Sequence, residues 1–475
     1  MSLVIERTSA LKIPKCKQTN IYLDSIKKHL TRSFQDYTSG ETFKYKYFKE
    51  NESFLFVPRY FPIEHYIPGV LIEDNTCVGE EIDIEAAITP RNELQRNAMR
   101  ELVARRSGIL EIDPGEGKTV LSIYTVSKLK VKTLVFMHKV DLVKQWIERF
   151  QEFSNYSFED IGFLQSHSFE ECLQKPVILA TVQGILAIAK KYGLRFSQAL
   201  RDANIGLMIS DECHTTTGAY HFSNASYLIP ARRTIGLSAT PDRYDRTEDI
   251  IEYHLGKIFT VSGQGTTIEP EIVVIMFDHQ ILVEKDDEGN VVKDRYKYLH
   301  WSGRFNKARY LNILKNSRVY MSLLKYLIEK SYEEGRHILC LTERIKQIDA
   351  MAKMINVPEE DIGKFCGSAS LEQLKKRVVL ATPQKARDGM DQTSLDTLIL
   401  CSPLSNITQS SGRIVRYHEN KKRPMIYDLV DTAISDFMGA FSHRMRFYNK
   451  KGWKVTKMTW NGKYLEEIYE ENSYR

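Results

Sequence analysis

Two clusters in this chain have the residue types and spacing for chemistry. The first is Asp113-Pro114-Gly115-Glu116-Gly117-Lys118-Thr119, a glycine-broken turn between an apolar run (Ile109, Leu110, Ile112) and a segment with helical spacing. Strand, glycine loop and helix N-terminus together form a phosphate cradle: backbone N–H groups point inward and the helix dipole favours an anion. Pro114, Gly115, Glu116 and Gly117 line such a loop; Lys118 reaches β- and γ-phosphates and the Thr119 hydroxyl holds Mg²⁺. Ile112 stands where the full G-x-x-x-x-G-K-[ST] pattern has its first glycine, so the loop alone also fits a β-turn with a solvated lysine.

The second cluster is Asp211-Glu212-Cys213-His214, closing an apolar run. Asp211 in that place holds Mg²⁺, directly or through water, and Glu212 polarises the attacking water as a general base. His214 is close enough to link hydrolysis to neighbouring elements. An acidic pair that merely caps the next helix is the bland alternative, and the G-K-T loop upstream disfavours it. Gln95, one helix before the loop, has an amide able to read the N6 and N7 edges of adenine.

These groups need a scaffold that brings strand ends together. Apolar runs at 109–112, Thr133–Met137, Val177–Thr181, 205–210 and 234–238 alternate with helical segments, and each ends in polar residues. That pattern predicts a parallel sheet with its site along the C-terminal edge. A second α/β pattern has helices at 320–332, 343–354 and 408–416, and strands at 337–341, 378–382, 397–401 and 425–429. Between the two, Glu271–Phe277 and 280–283 read as strands, 286–290 as a turn and 296–317 as helix. Near the start, 21–34 reads as helix. Phe43-Lys44-Tyr45-Lys46-Tyr47-Phe48-Lys49 alternates aromatic and basic residues, fitting a strand that stacks on bases or a plain amphipathic hairpin. The expected organisation is an N-terminal accessory or DNA-binding module at 1–85, an ATP-binding domain at 86–265, a linker or insertion at 266–320, and a second domain at 321–475 with a basic tail at 443–460.

Composition narrows the class. The chain has 475 residues, 42% hydrophobic and 27% charged, enough for two or three cored domains. It has no apolar run of membrane-spanning length and no apolar signal core near Met1, so a soluble, intracellular protein is expected. Seven cysteines lie far apart without a C-x-x-C pair, which speaks against zinc, iron–sulfur and disulfide frameworks. The net charge of +6 is compatible with a polyanionic partner.

Taken in order, the motifs resemble those of superfamily 2 helicases of the DExH type over roughly 88–450. Asp211-Glu212-Cys213-His214 matches motif II and Ser238-Ala239-Thr240-Pro241 motif III; Gln409-Ser410-Ser411-Gly412-Arg413-Ile414-Val415-Arg416 matches motif VI. Gln95 fits the adenine-reading element, although Leu94 replaces a frequent aromatic. Lys139 with Gln145-Trp146 resembles motif Ia, and Thr181-Val182-Gln183 the next DNA-contacting element. Ala381-Thr382 through Asp388-Gly389-Met390-Asp391 resembles motif V.

The resemblance implies two tandem RecA-like parallel-sheet domains, with a small N-terminal α+β module, that use ATP and Mg²⁺. It implies γ-phosphate contact by Arg413 and Arg416, nucleotide contact by Gly389 and Asp391, and nucleic-acid contact by Lys139, Thr181, Gln183 and Thr382. Contacts mainly to the backbone would make binding salt-sensitive and nearly sequence-blind. The small N-terminal module and Arg446–Trp453 tail look most like phage UvsW-type branch-migration helicases, with RadD-like and XPB-like proteins more distant. That likeness implies forked or four-way DNA as partner, with Tyr448 and Trp453 either stacking on bases or packing the tail onto the second domain. A double-strand DNA translocase motor of a nuclease or remodelling assembly and an RNA helicase are the alternatives. A binding protein with a vestigial ATPase is disfavoured, because Lys118, Thr119, Asp211, Glu212, Arg413 and Arg416 are all present.

Overall fold

The computed structural model describes the chain except residues 1–2, 36–41, 242–246, 266, 280–282, 286–287, 289–290, 295–298, 302–303, 388–391, 393, 406, 420, 435–436 and 469–475. It forms two compact units, Met1–Gly265 and Thr266–Arg475.

The first unit is built on a seven-stranded sheet. Its order is Ile161–Phe163, Val177–Thr181, Thr133–Met137, Leu207–Asp211, Arg233–Ser238, Ser107–Glu111, Ile258–Phe259, and every pairing is parallel. Parallel sheets are covered by helices on both faces, so their strands are apolar throughout rather than alternating. The pleat sends Leu134, Phe136, Ile178 and Met208 into one core and Val135, Met137, Leu179 and Ile209 into the other.

Ahead of this sheet, Lys49–Glu50, Phe54–Pro58, Ala10–Pro14, Val4–Arg7 and Leu71–Asp74 form a five-stranded sheet, in that order. It belongs to the same unit and is fastened to it. The Arg59 guanidinium is fully buried and donates from Nη1 to the Ala231 carbonyl at 2.8 Å and from Nη2 to Ser226 at 3.1 Å and to Ile229. Ile250 joins the apolar core of this module alongside Ile5, Leu11 and Val57.

The helix expected over 21–34 is shorter, Asn20–His29, and Thr31–Gln35 is instead a strand paired antiparallel with Thr42–Lys46. Thr31 turns its hydroxyl back onto the Lys27 carbonyl at 2.7 Å, and Phe34 then pairs across the hairpin with Phe43. On the hairpin, Tyr45 is stacked on Tyr220, with ring centroids 4.3 Å apart and planes at 21°, while Lys44 and Lys46 are exposed. Here Tyr45 meets protein, and the lysines face outward.

The second unit has an eight-stranded sheet: Ile362–Phe365, Val378–Ala381, Ile338–Leu341, Thr397–Leu400, Met425–Asp431, Glu271–Phe277, Val455–Trp460, Leu465–Glu467. Its pairings are parallel except the last. Two sequence expectations change here. The stretch 266–320 is not simply a linker, because Glu271–Phe277 pairs on both sides inside this sheet. Within the range 296–317, part of which lies outside the described residues, the described helix is Lys307–Leu314, capped by Asn306, whose side chain accepts from the Arg309 N–H at 3.0 Å; His300–Trp301 and Arg304–Phe305 pair antiparallel ahead of it.

The basic tail is also part of the fold. Met438–Lys450 is a helix and Val455–Trp460 a strand alongside Glu271–Phe277. Tyr448 is fully buried with its hydroxyl 3.0 Å from Asp428 Oδ2, and the Trp453 ring stands edge-on to Phe447 at 5.3 Å. Of the two roles open to these aromatics, packing is the one seen. Among the described residues no helix is long and apolar enough to cross a membrane.

Candidate active site

The glycine loop joins the Ser107–Glu111 strand to the Lys118–Leu129 helix. Gly117 caps that helix at φ 82°, in the left-handed region. A Cβ there would stand 3.0 Å from Gln95 Nε2 and 3.2 Å from Arg91 Nη2, so the cradle closes only over glycine. Gln95 Nε2 donates to the Glu116 carbonyl at 2.8 Å, and Gln95 Oε1 accepts from the Arg91 N–H at 2.9 Å. Glu116 is itself buried, accepting from Asn92 Nδ2 at 3.2 Å. Pro114, Gly115 and Thr119 are half-buried along the loop.

Gln95 is 1% exposed, and both its amide ends bond to backbone, which supports the loop.

Across the sheet edge, the Leu207–Asp211 strand ends and Glu212 takes φ 47°, ψ 55°, a left-handed conformation rare outside glycine. Lys118 Nζ lies 2.7 Å from Glu212 Oε1. Burial alone would push the Glu212 carboxyl up; Lys118 first and His214 next outweigh it and hold the carboxyl below its ordinary range. For Lys118, burial works against the charge, but Glu212 and Asp211 keep its ammonium above the ordinary value. Asp211 is pushed up to about 6, by burial first and then by the neighbouring Glu212 charge. Its Oδ1 accepts from the Glu212 N–H at 3.0 Å and its Oδ2 from the Trp146 indole N–H at 3.1 Å. His214 Nδ1 is 2.9 Å from Ser238 Oγ and 3.5 Å from Glu212 Oε2, tying the acidic pair to the strand that separates it from the loop.

Thr119, Asp211 and Glu212 offer hydroxyl and carboxylate oxygens, the hard donors that suit Mg²⁺. Glu212 Oε2 is a buried oxygen with no hydrogen-bond donor among the described residues. The donor set therefore fits a hard divalent cation.

Of the expected nucleic-acid residues in this unit, Lys139 and Gln183 follow strands that run in register, Met137 opposite Thr181, and so emerge at the same edge. Lys139 is half-buried and precedes the Val140–Phe153 helix; Gln183 is exposed. Thr181 is buried and its hydroxyl accepts from the Gly184 N–H at 3.1 Å, a helix cap rather than an open contact.

Arg413, Arg416 and Thr382 belong to the second unit. Arg413 is buried on the Thr408–Ile414 helix, which ends before Arg416; the Arg416 carbonyl accepts from Lys421 Nζ at 2.9 Å. Thr382 Oγ1 accepts from the Lys385 N–H at 3.4 Å. Gly389 and Asp391 lie outside the described residues.

Sequence reasoning missed Trp146 as a partner of Asp211, and Asn92 as a support of the loop. A buried indole N–H needs an acceptor, which is the only signal that could have pointed to Trp146.

Residues 88–243 match the family described as "Type III restriction enzyme, res subunit". The chain is 28% identical over 361 residues to "Putative ATP-dependent RNA helicase L396" of Acanthamoeba polyphaga mimivirus, covering 74% of this chain and 65% of that protein. It is 25% identical over 365 residues to "Probable helicase D10" of Escherichia phage T5, covering 74% and 73%. Among solved structures, the ATP-dependent Type ISP restriction-modification enzyme LlaBIII bound to DNA has a similar fold at TM-score 0.50 and 17% identity, over 75% of this chain and 29% of that one. Residues 88–243 thus match that family, and over about three quarters of its length the chain is similar to proteins named as helicases.

Proposed function

We propose that the chain is an ATP-driven helicase or translocase that works on branched DNA. The observation that carries the ATPase part is the Lys118–Glu212 contact of 2.7 Å beside Asp211, which joins phosphate anchor, base and cation holder at one sheet edge. In the proposed step a water oxygen bonds to the γ-phosphorus while its proton passes to Glu212. The bond to the β–γ bridging oxygen breaks, and ADP and phosphate leave. Mg²⁺ held by Asp211 and Thr119 would supply charge neutralisation on the phosphates. A phosphate on Lys118 replaces Glu212 as its partner, so phosphate binding and release of the base are one event. Arg413 and Arg416 enter as γ-phosphate contacts on the strength of their motif, and Gly389 and Asp391 as nucleotide contacts on the same ground.

Lys139, Gln183 and Thr382 are assigned to the nucleic-acid backbone. Branched DNA as substrate rests on the likeness to phage UvsW-type helicases. The mimivirus relative, named as an RNA helicase, supports RNA as the second reading.

The test is ATP hydrolysis with no nucleic acid, with a synthetic four-way junction and with single-stranded RNA, wild type beside Glu212→Gln. Junction-stimulated turnover that Glu212→Gln loses, with junction strands rearranged, is expected. Stimulation by RNA alone overturns the substrate, and no turnover with any nucleic acid overturns the enzyme.

A further inference from the structure

The acidic pair is bonded to an element outside the phosphate site. Asp211 Oδ2 accepts from Nε1 of Trp146, at 3.1 Å, and Trp146 sits on the Val140–Phe153 helix that begins immediately after Lys139. We propose that Trp146 is a positioning residue: it transmits the placement of the Lys139 helix, where a strand would bind, to the carboxylate that holds the cation. The proposal rests on the ATPase reading above and specifies how nucleic acid would stimulate it.

Three features carry it. Trp146 is 2% exposed and packs with Val143 and Phe150 on the buried face of its helix, so the indole moves with the helix. Its N–H is a donor only, and here that donor is committed to one carboxylate oxygen. The other oxygen takes the N–H of Glu212, so within the described residues these two donors set the plane of the Asp211 carboxylate. A bond of 3.1 Å is near the long end of the favourable range, and a shift of the helix of about 1 Å takes it out of that range. If Trp146 were only a space-filler, its ring would matter and its N–H would not.

Trp146→Phe keeps an aromatic ring and removes the N–H. In the full chain, ATP turnover is measured against Mg²⁺ concentration and against single-stranded and four-way-junction DNA, with melting temperature alongside. The expected result is a protein that folds, with the ratio of DNA-stimulated to unstimulated turnover down about tenfold, as for loss of one charge-assisted hydrogen bond. The Mg²⁺ half-saturation point should rise several-fold, with the ATP KM within about twofold of wild type, a split that general loosening of the core would not give. Wild-type stimulation and wild-type Mg²⁺ dependence in folded Trp146→Phe overturn the link and leave the ATPase reading intact. A wild-type chain with no turnover on any nucleic acid removes the ATPase reading as well.

Should Trp146→Phe fail to fold, the wild-type chain labelled with 5-fluorotryptophan gives the same decision. The Trp146 resonance, assigned by elimination with Trp301→Phe, Trp453→Phe and Trp460→Phe, is expected to shift on adding DNA without nucleotide. A resonance that stays in place overturns the proposal.

Discussion

Lys118 and Glu212 are 94 positions apart and meet with Nζ 2.7 Å from Oε1. Their side chains are 12% and 18% exposed, so each charge has the other as its main compensation, with Asp211 and His214 adding to it. Removing one partner of such a pair is more harmful than removing both. Lys118→Met is expected to destabilise the first unit by about 3 kcal/mol. Lys118→Met with Glu212→Gln should recover most of that loss, and neither variant should hydrolyse ATP. Urea unfolding of both decides it; a double variant as unstable as the single would remove the pair as the cause.

Gln95 separates loop support from base recognition. Its Nε2 bond to the Glu116 carbonyl predicts that Gln95→Ala lowers kcat/KM for ATP about tenfold, the value of one buried hydrogen bond. GTP turnover should fall by the same factor. A loss confined to ATP would return Gln95 to reading adenine.

His254 gives a pH dependence. It is fully buried with neither ring nitrogen hydrogen-bonded among the described residues, and its value is lowered to about 3 by burial first and then by Arg59 and Lys49. Unfolded, it takes a proton near its ordinary 6.5. Between those values the unfolded chain binds a proton that the folded chain refuses, so stability falls as pH falls through that window. His254→Phe, still edge-on to Tyr227, should gain about 2 kcal/mol over wild type at pH 5 relative to pH 8. Parallel stability curves for the two proteins would refute this.

Arg59 fastens the N-terminal module. Arg59→Ala leaves the carbonyls of Ser226, Ile229 and Ala231 without that donor, at a cost of about 3 kcal/mol or more. Protease should then cut between the module and the Glu93–Ala104 helix far sooner than in wild type, in a time course read by mass spectrometry. Unchanged cleavage would mean that the apolar contacts suffice.

Tyr448 tests what the tail does. Tyr448→Phe deletes the bond to Asp428 Oδ2, while Arg444 Nε remains 2.8 Å from that oxygen. Stability should drop by about 1 kcal/mol, with junction-DNA affinity unchanged. A weaker DNA complex without a stability loss would restore the stacking role.

How much of this could be read in the chain depended on where each residue's partner lies. Thr133–Met137 and Val177–Thr181 were legible to the residue because strands buried on both faces carry unbroken apolar runs. Lys118, Asp211 and Glu212 were legible as candidates because phosphate chemistry demands those types at a turn and a strand end. Val455–Trp460 was not: Val-Thr-Lys-Met-Thr-Trp is half-exposed for most of its length and becomes a strand only beside Glu271–Phe277. Arg59 bonds to backbone carbonyls and Gln95 to one carbonyl and one backbone N–H, groups that nearly any residue can supply, so no pattern marks the partner.

The placement of Glu271–Phe277 between Met425–Asp431 and Val455–Trp460 also sets a timetable. As the chain leaves the ribosome, that strand emerges long before either neighbour exists. At about 5–20 residues per second it waits on the order of ten seconds with both edges bare. An apolar strand in that condition invites pairing with other chains. The first unit has all its strands by Phe259 and can close while the second is still being made. Newborn protein thus passes through a stage with one finished half and one adhesive strand, when it depends most on a chaperone's cover.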